Sequence, residues 1–151
     1  MAADVATIHA SAVLVGPKAV LIRGPSGSGK SMLAWNLIQA AEQGLVPFAK
    51  LVADDRACME CHSGRLLVRP AQTLAGMIEI HGLGIRRIEF EPVAVVGLIV
   101  DLGADDAARS PDPNSRIDTI KGVTLPRLPV AAGAARLAQV LAITRLPPAG
   151  N

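Results

Sequence analysis

The run Gly24-Pro25-Ser26-Gly27-Ser28-Gly29-Lys30-Ser31 constrains this chain more than any other feature. It satisfies G-x-x-x-x-G-K-S, follows the apolar run Ala19 to Ile22 and precedes a stretch with helical periodicity. That context is what the phosphate-binding loop, or P-loop, requires. Glycines at 24, 27 and 29 have no Cβ, so backbone N–H groups can converge on phosphate oxygens. A helix starting near Lys30 adds its N-terminal dipole and free N–H groups to the same anion site. Lys30 is expected to reach the β- and γ-phosphates of a nucleotide such as ATP, and the Ser31 hydroxyl to ligate Mg²⁺. A strand, a loop and a helix in this order need an α/β fold in which the helix packs on a sheet.

The rest of the chain reads consistently with that frame. Thr7 to Val15 and Ala19 to Ile22 flank Gly16-Pro17-Lys18 and predict a hairpin-like pair of strands. Leu33, Ala34, Leu37, Ile38 and Ala41 recur at helical spacing from Lys30 onward, with Gly44 and Pro47 as stop signals. Phe48 to Ala53 predicts a buried strand ending in Asp54 and Asp55, and Ala57 to Cys61 with Leu66 to Arg69 predicts a hairpin about Ser63-Gly64. Met77 to Ile80 is a short strand broken by Gly82 and Gly84. Val93 to Val100 is a continuous apolar run of the kind buried on both faces. Gly103 to Ser115, with Asp105, Asp106, Pro111, Asp112 and Pro113, predicts a mobile loop. Pro126, Pro129, Pro147 and Pro148 confine a last helix to about Ala131 to Arg145, where Leu137, Val140 and Leu141 form a packing face. The expectation is one P-loop domain over residues 1–151, a mixed β-sheet with a P-loop helix and a C-terminal helix.

Composition removes several function classes. Only 2 % of the 151 residues are aromatic, with Trp35, Phe48 and Phe90 and no tyrosine, so base stacking on aromatic platforms is not expected. The formal charge of +2 is mild and its Lys and Arg residues are scattered, so neither nucleic acid nor an anionic membrane is implied. Val93 to Val100 falls far short of the roughly 20 apolar residues that span a bilayer. Asp4 and the lack of a basic segment before Ala10 to Val15 argue against a secretory signal, which makes the cytoplasm the default compartment. Cys58 and Cys61 are too few and too close for a disulfide framework and are read as reduced thiols. Cys58-Met59-Glu60-Cys61-His62 spells C-x-x-C-H, but it lies in a strand and turn of a chain with no export signal and is read as chance, with His62 a turn-surface histidine.

A P-loop site also needs a carboxylate near its metal, usually at the end of a neighbouring hydrophobic strand. Two places qualify. On pattern alone Asp101, after Val96 to Val100, is slightly the better metal-strand candidate; the Asp54-Asp55 pair offers both a metal ligand and a proton acceptor.

Four segments in order carry a more specific signal: Ile8-His9 ahead of Val20-Leu21-Ile22, Gly24 to Ser31, Leu51-Val52-Ala53-Asp54-Asp55, and Ile78-Glu79-Ile80-His81-Gly82-Leu83-Gly84-Ile85. Together, from about residue 6 to about 142, they resemble the HPr kinase/phosphorylase catalytic domain in a short form without an N-terminal domain. The resemblance implies a bifunctional enzyme that phosphorylates a seryl hydroxyl of HPr, the small phosphocarrier of the sugar phosphotransferase system, with ATP and Mg²⁺. In reverse, phosphate attacks the phosphoserine and pyrophosphate leaves. It implies that Asp54 is the general base of the kinase direction and the acid of phosphorolysis, that Asp55 supports the site and the metal, that Glu79 is a second metal-side carboxylate, and that His9 lies near the phosphate site. A homohexamer is implied as well. The pattern has arginine where this chain has His81, commonly glutamate where it has Met32, and glycine-arginine-asparagine where Gly133 is followed by Ala134 and Ala135, with Arg136 next. Arg86 and Arg87 after the signature could meet phosphate or the acidic face of a partner.

Two other classes compete. A small-molecule P-loop kinase would need a lid of arginines, and Asp105 to Arg116 offers Arg109 and Arg116 among Asp and Pro. A non-catalytic ATP- or phosphate-sensing regulator would bind nucleotide without transferring phosphate.

Overall fold

Thr7–Val15 (β1) and Lys18–Arg23 (β2) pair antiparallel about the turn at Gly16-Pro17, as the two apolar runs predict. The computed structural model describes residues 6–108 and 112–146, so Asp4, Arg109, Pro111, Pro147 and Pro148 lie outside the described residues. Lys30–Glu42 forms α1, which buries Leu33, Ala34, Leu37 and Ala40. Its end follows the sequence signal. Leu45 N–H donates to the Ala40 carbonyl and Gly44 N–H to the Ala41 carbonyl, with Gly44 at φ +75°, the paired closure that glycine at C′ allows.

Ala49–Ala53 (β3) pairs with β1. Arg56–His62 (β4) and Arg65–Pro70 (β5) form the expected hairpin, and Ser63 and Gly64 both take positive φ in its two-residue turn. Cys58 is half-buried and Cys61 exposed on β4, and both are free thiols. Met77–Ile80 (β6) is followed directly by Gly84–Arg87 (β7). The glycines expected to break the segment thus turn it into a small hairpin of its own.

Ala94–Leu102 (β8) ties the sheet together. It lies parallel to β2 and antiparallel to β5, so β2, β1, β4, β5 and β8 close a ring of pairings. Inside that ring Ala12, Leu21, Met59, Leu66, Val68, Val96 and Ile99 form one core; Val13, Val20, Ile22, Leu98, Val100 and Leu102 face a second core under α1. Gly97 permits the change of register between Ala19 and Val20, because a Cβ there would lie 2.8 Å from Lys18 Cβ.

Two strands were not expected. Ile117–Ile120 (β9) pairs antiparallel with the first half of Val123–Val130 (β10), and the second half of β10 runs parallel to β8. Each half has one partner, so the missing N–H groups of Pro126 and Pro129 cost no ladder on the other side. The last helix, α2, is Arg136–Arg145, starting later than Ala131 because β10 and a turn take up the intervening residues. Val140 is fully buried in the second core with Leu137 against it, as the packing face predicts.

Past β8 the chain does not run free. Arg127 donates to Asp101, to Asp106 and to the Ser115 carbonyl, which ties the described part of the 103–116 segment to the sheet.

Candidate functional site

The glycine-rich loop connects β2 to α1 over residues 24–29. Gly24, Gly27 and Gly29 have φ of +158°, +79° and +97°, and no side chain caps α1. An uncapped helix start beside a loop in left-handed conformations is the arrangement that lets backbone N–H groups bind an anion. The Lys30 ammonium donates to the Gly24 and Pro25 carbonyls at 2.9 and 3.1 Å, so it is folded back over the loop that precedes it.

Asp54 closes the other side. Its Oδ1 accepts from Ser11 Oγ at 2.6 Å and from Ser31 Oγ at 2.7 Å, and its Oδ2 accepts from the Glu79 backbone N–H at 3.0 Å. One carboxylate thereby joins β1, α1 and β6. It is 4 % exposed, and burial of a charge on this scale is tolerated when every lone pair finds a donor. The sequence marks Ser11 only as a polar residue between Ala10 and Ala12, ahead of the apolar run to Val15. Strand alternation places His9 and Ser11 on the same face of β1 as Val13, the face toward α1.

Asp55 turns the opposite way. It has φ +68°, a left-handed conformation that Asp tolerates, and its carboxylate is about half exposed. His9 Nε2 lies 3.4 Å from Asp55 Oδ1. These two residues, Ser26, Gly27, Gly29, Lys30, Ser31, Met32, Glu79 and His81 line one open cleft of about 420 Å³. The P-loop, the expected carboxylates Asp55 and Glu79, the expected His9, and His81, which stands where the family pattern has arginine, therefore share a single concavity. Asp54 sits behind the cleft wall against Ser31.

Asp101 is not part of it, which corrects the pattern-based preference for that residue as the metal-side carboxylate. β8 does not end before Asp101 but continues to Leu102, and alternation puts Asp101 on the face of Ile99, away from α1. There Arg23 donates to it twice at 2.7 Å and Arg127 at 2.5 Å. Burial pushes the Asp101 carboxyl up, but the hydrogen bonds from Arg23 and Arg127 outweigh it and hold the group below its ordinary value. A carboxylate depressed in the folded state adds stability above its unfolded pKa of about 3.9 and loses it as pH falls through the lower folded value. Asp101→Asn is therefore expected to cost about 2 kcal/mol at pH 7 in denaturant titrations, and less as the pH approaches 3. An equal loss at both pH values would contradict the assignment.

Near Ser31 the anionic donors are oxygens: Asp54 beside it, and Asp55 and Glu79 in the cleft, where His9 and His81 add imidazole nitrogens. Hard oxygen ligands fit Mg²⁺. Among the described residues no three His, Cys, Asp or Glu side chains are grouped closely enough to hold an ion alone, and Mg²⁺ in phosphoryl-transfer sites characteristically shares its shell with substrate phosphates. Of the two lid arginines, Arg116 lies in a short 3-10 turn, Pro113–Arg116, and Arg109 is outside the described residues. Arg86 and Arg87 lie on the exposed β7, off this cleft and beside a separate groove under Trp35 and Ile38. No helix among the described residues is long and apolar enough to cross a membrane.

Comparison with known proteins gives the family and the fold. Residues 1–134 match the family described as the HPr Serine kinase C-terminal domain. An HPr kinase/phosphorylase of Clostridium beijerinckii is 36% identical over 78 residues, which is 52% of this chain and 24% of that relative, so the match spans about a quarter of the relative's length. The solved structure of the Hpr(Ser) kinase/phosphatase from Coxiella burnetii superposes with a TM-score of 0.74 at 23% identity, covering 93% of this chain and 94% of that one. At that identity the likeness is one of fold.

Proposed function

Because this chain belongs to the HPr serine kinase C-terminal domain family, we propose that it moves the γ-phosphoryl group of ATP to a seryl hydroxyl of HPr, and that phosphate can reverse the modification with release of pyrophosphate. The observation that carries this reading is the single cleft that presents Lys30 and Ser31 of the P-loop to Asp55, Glu79 and His9. A phosphate-binding loop alone would suit many activities; a half-exposed carboxylate in the same concavity suits transfer to a hydroxyl.

In the forward direction the seryl oxygen forms a bond to the γ-phosphorus as the bond to the β,γ-bridging oxygen breaks, leaving ADP. The seryl proton needs an acceptor, since a serine hydroxyl is a poor nucleophile at neutral pH. We assign that role to Asp55. The family resemblance gives it to Asp54, but Asp54 is 4 % exposed and already accepts from Ser11, Ser31 and the Glu79 N–H. Its part in this reading is to hold Ser31 and the strand that carries Glu79. Lys30, released from the loop carbonyls, would neutralise charge on the β- and γ-phosphates. Mg²⁺, held by Ser31 with the neighbouring carboxylates and the phosphates, would supply charge stabilisation. In reverse, a phosphate oxygen attacks the phosphoserine phosphorus, the seryl oxygen leaves, and Asp55 returns its proton. His9, 3.4 Å from Asp55, orients that carboxylate. The same reading takes the protein to be cytoplasmic and homohexameric, and light scattering checks the hexamer.

ADP release with Mg²⁺ tests the proposal. Release that depends on added HPr supports a protein kinase, and pyrophosphate appearing from phosphoserine-HPr and phosphate supports the reverse step. ATP bound without HPr-dependent release would leave a nucleotide sensor in its place.

A further inference from the structure

At the start of α2 the Arg136 side chain reaches back across the molecule to the P-loop. Its Nη1 donates to the Ser28 carbonyl, and the guanidinium lies so close over Gly29 that a Cβ at that glycine would fall 1.8 Å from Nη1. Two features set this arginine apart from the other arginines that have no carboxylate partner among the described residues. It is half-buried and held by a neutral carbonyl, which uses only part of the donor fork. Its location is on the far side of the loop from the acceptor: Arg136 lines a groove of about 230 Å³ with Met32, Leu33 and Asn36 of α1, and that groove shares only Met32 with the cleft of Asp55 and His9.

We propose that Arg136 is a nucleotide-binding residue that contacts the α-phosphate and ribose end of ATP, opposite the end from which phosphate is transferred. The inference rests on the reading of residues 24–31 as the ATP site. The loop N–H groups cradle the α- and β-phosphates and Lys30 reaches the β- and γ-phosphates. A guanidinium over Gly29, where α1 begins, is placed to add a cation at the α-phosphate end of that cradle. Arg suits the position because its planar fork can keep one bond to the Ser28 carbonyl while offering others to a phosphate oxygen. Gly29 suits it because any larger residue would displace the guanidinium.

The test compares ATP with inorganic pyrophosphate, which can fill the β- and γ-positions but carries neither an α-phosphate nor a nucleoside. Calorimetry would be run on the full chain and on Arg136→Gln and Arg136→Lys. ATP affinity is expected to fall about 10- to 100-fold in Arg136→Gln, with partial recovery in Arg136→Lys, while pyrophosphate affinity changes less than about threefold. Equal weakening for both ligands would mean that Arg136 only shapes the loop and would overturn the inference, as would unchanged ATP binding. Thermal midpoints of both variants separate unfolding from lost contact. If the unaltered chain binds neither ligand, the ATP-site reading itself fails and the inference falls with it.

Discussion

Asp55→Asn is expected to slow phosphoryl transfer to HPr by about 10²- to 10⁴-fold while ATP affinity stays within about threefold. Asparagine is the informative replacement for a backbone reason. Position 55 has φ +68°, which Asn adopts readily and Ala does not, so the exchange removes charge without adding strain. The side chain keeps its size and its place 3.4 Å from His9, but it can no longer accept the seryl proton. Asp54→Asn should behave differently: one of its carboxylate oxygens is replaced by an NH₂ group facing Ser11, Ser31 or the Glu79 N–H, so stability and transfer fall together. Single-turnover rates and denaturant midpoints measured on both variants distinguish the roles. Full activity in Asp55→Asn with a dead but folded Asp54→Asn would return the base to Asp54.

Lys30→Ala is the second large effect. Transfer is expected to fall by about 10²- to 10³-fold, because one preorganised cation over the transferred group is worth that much in rate. ATP affinity should fall as well, since the same ammonium holds the ground-state phosphates. The Gly24 and Pro25 carbonyls that Lys30 now satisfies lie at the rim of the loop, where water replaces the lost donor, so the thermal midpoint should move little. Quenched-flow transfer with calorimetry checks both parts; a large drop in midpoint with unchanged kinetics would contradict the assignment.

Much of this geometry was legible in the residues because local rules govern it. The loop motif, the α1 stripe, the Gly44 stop and the Ser63-Gly64 hairpin each depend on neighbours a few positions apart, and each is where the pattern predicts. Asp101 shows where such reading ends. It and Asp54 both follow a run of aliphatic residues, and only the parity of β8, shifted by a bulge at Gly97, sends one toward Arg23 and Arg127. Nothing in the neighbouring sequence reports that parity. β9 and β10 were hidden for a related reason: two prolines in β10 read as breakers until the half-by-half change of partner makes them harmless. The division of labour between Asp54 and Asp55 was equally out of reach, since adjacent carboxylates look alike until one is buried against Ser11 and Ser31 and the other takes a left-handed turn into the cleft. Arg136 lies 108 positions from the carbonyl it meets, and its contact is a product of packing α2 on α1.

Intact mass spectrometry of HPr after incubation with the chain, ATP and Mg²⁺ tests the proposal that this cleft phosphorylates a serine of HPr. HPr is expected to become heavier by one phosphate, located on serine by fragmentation, and to stay unmodified when Asp55→Asn replaces the chain over the same interval. HPr that keeps its mass while the chain binds ATP would contradict the proposal.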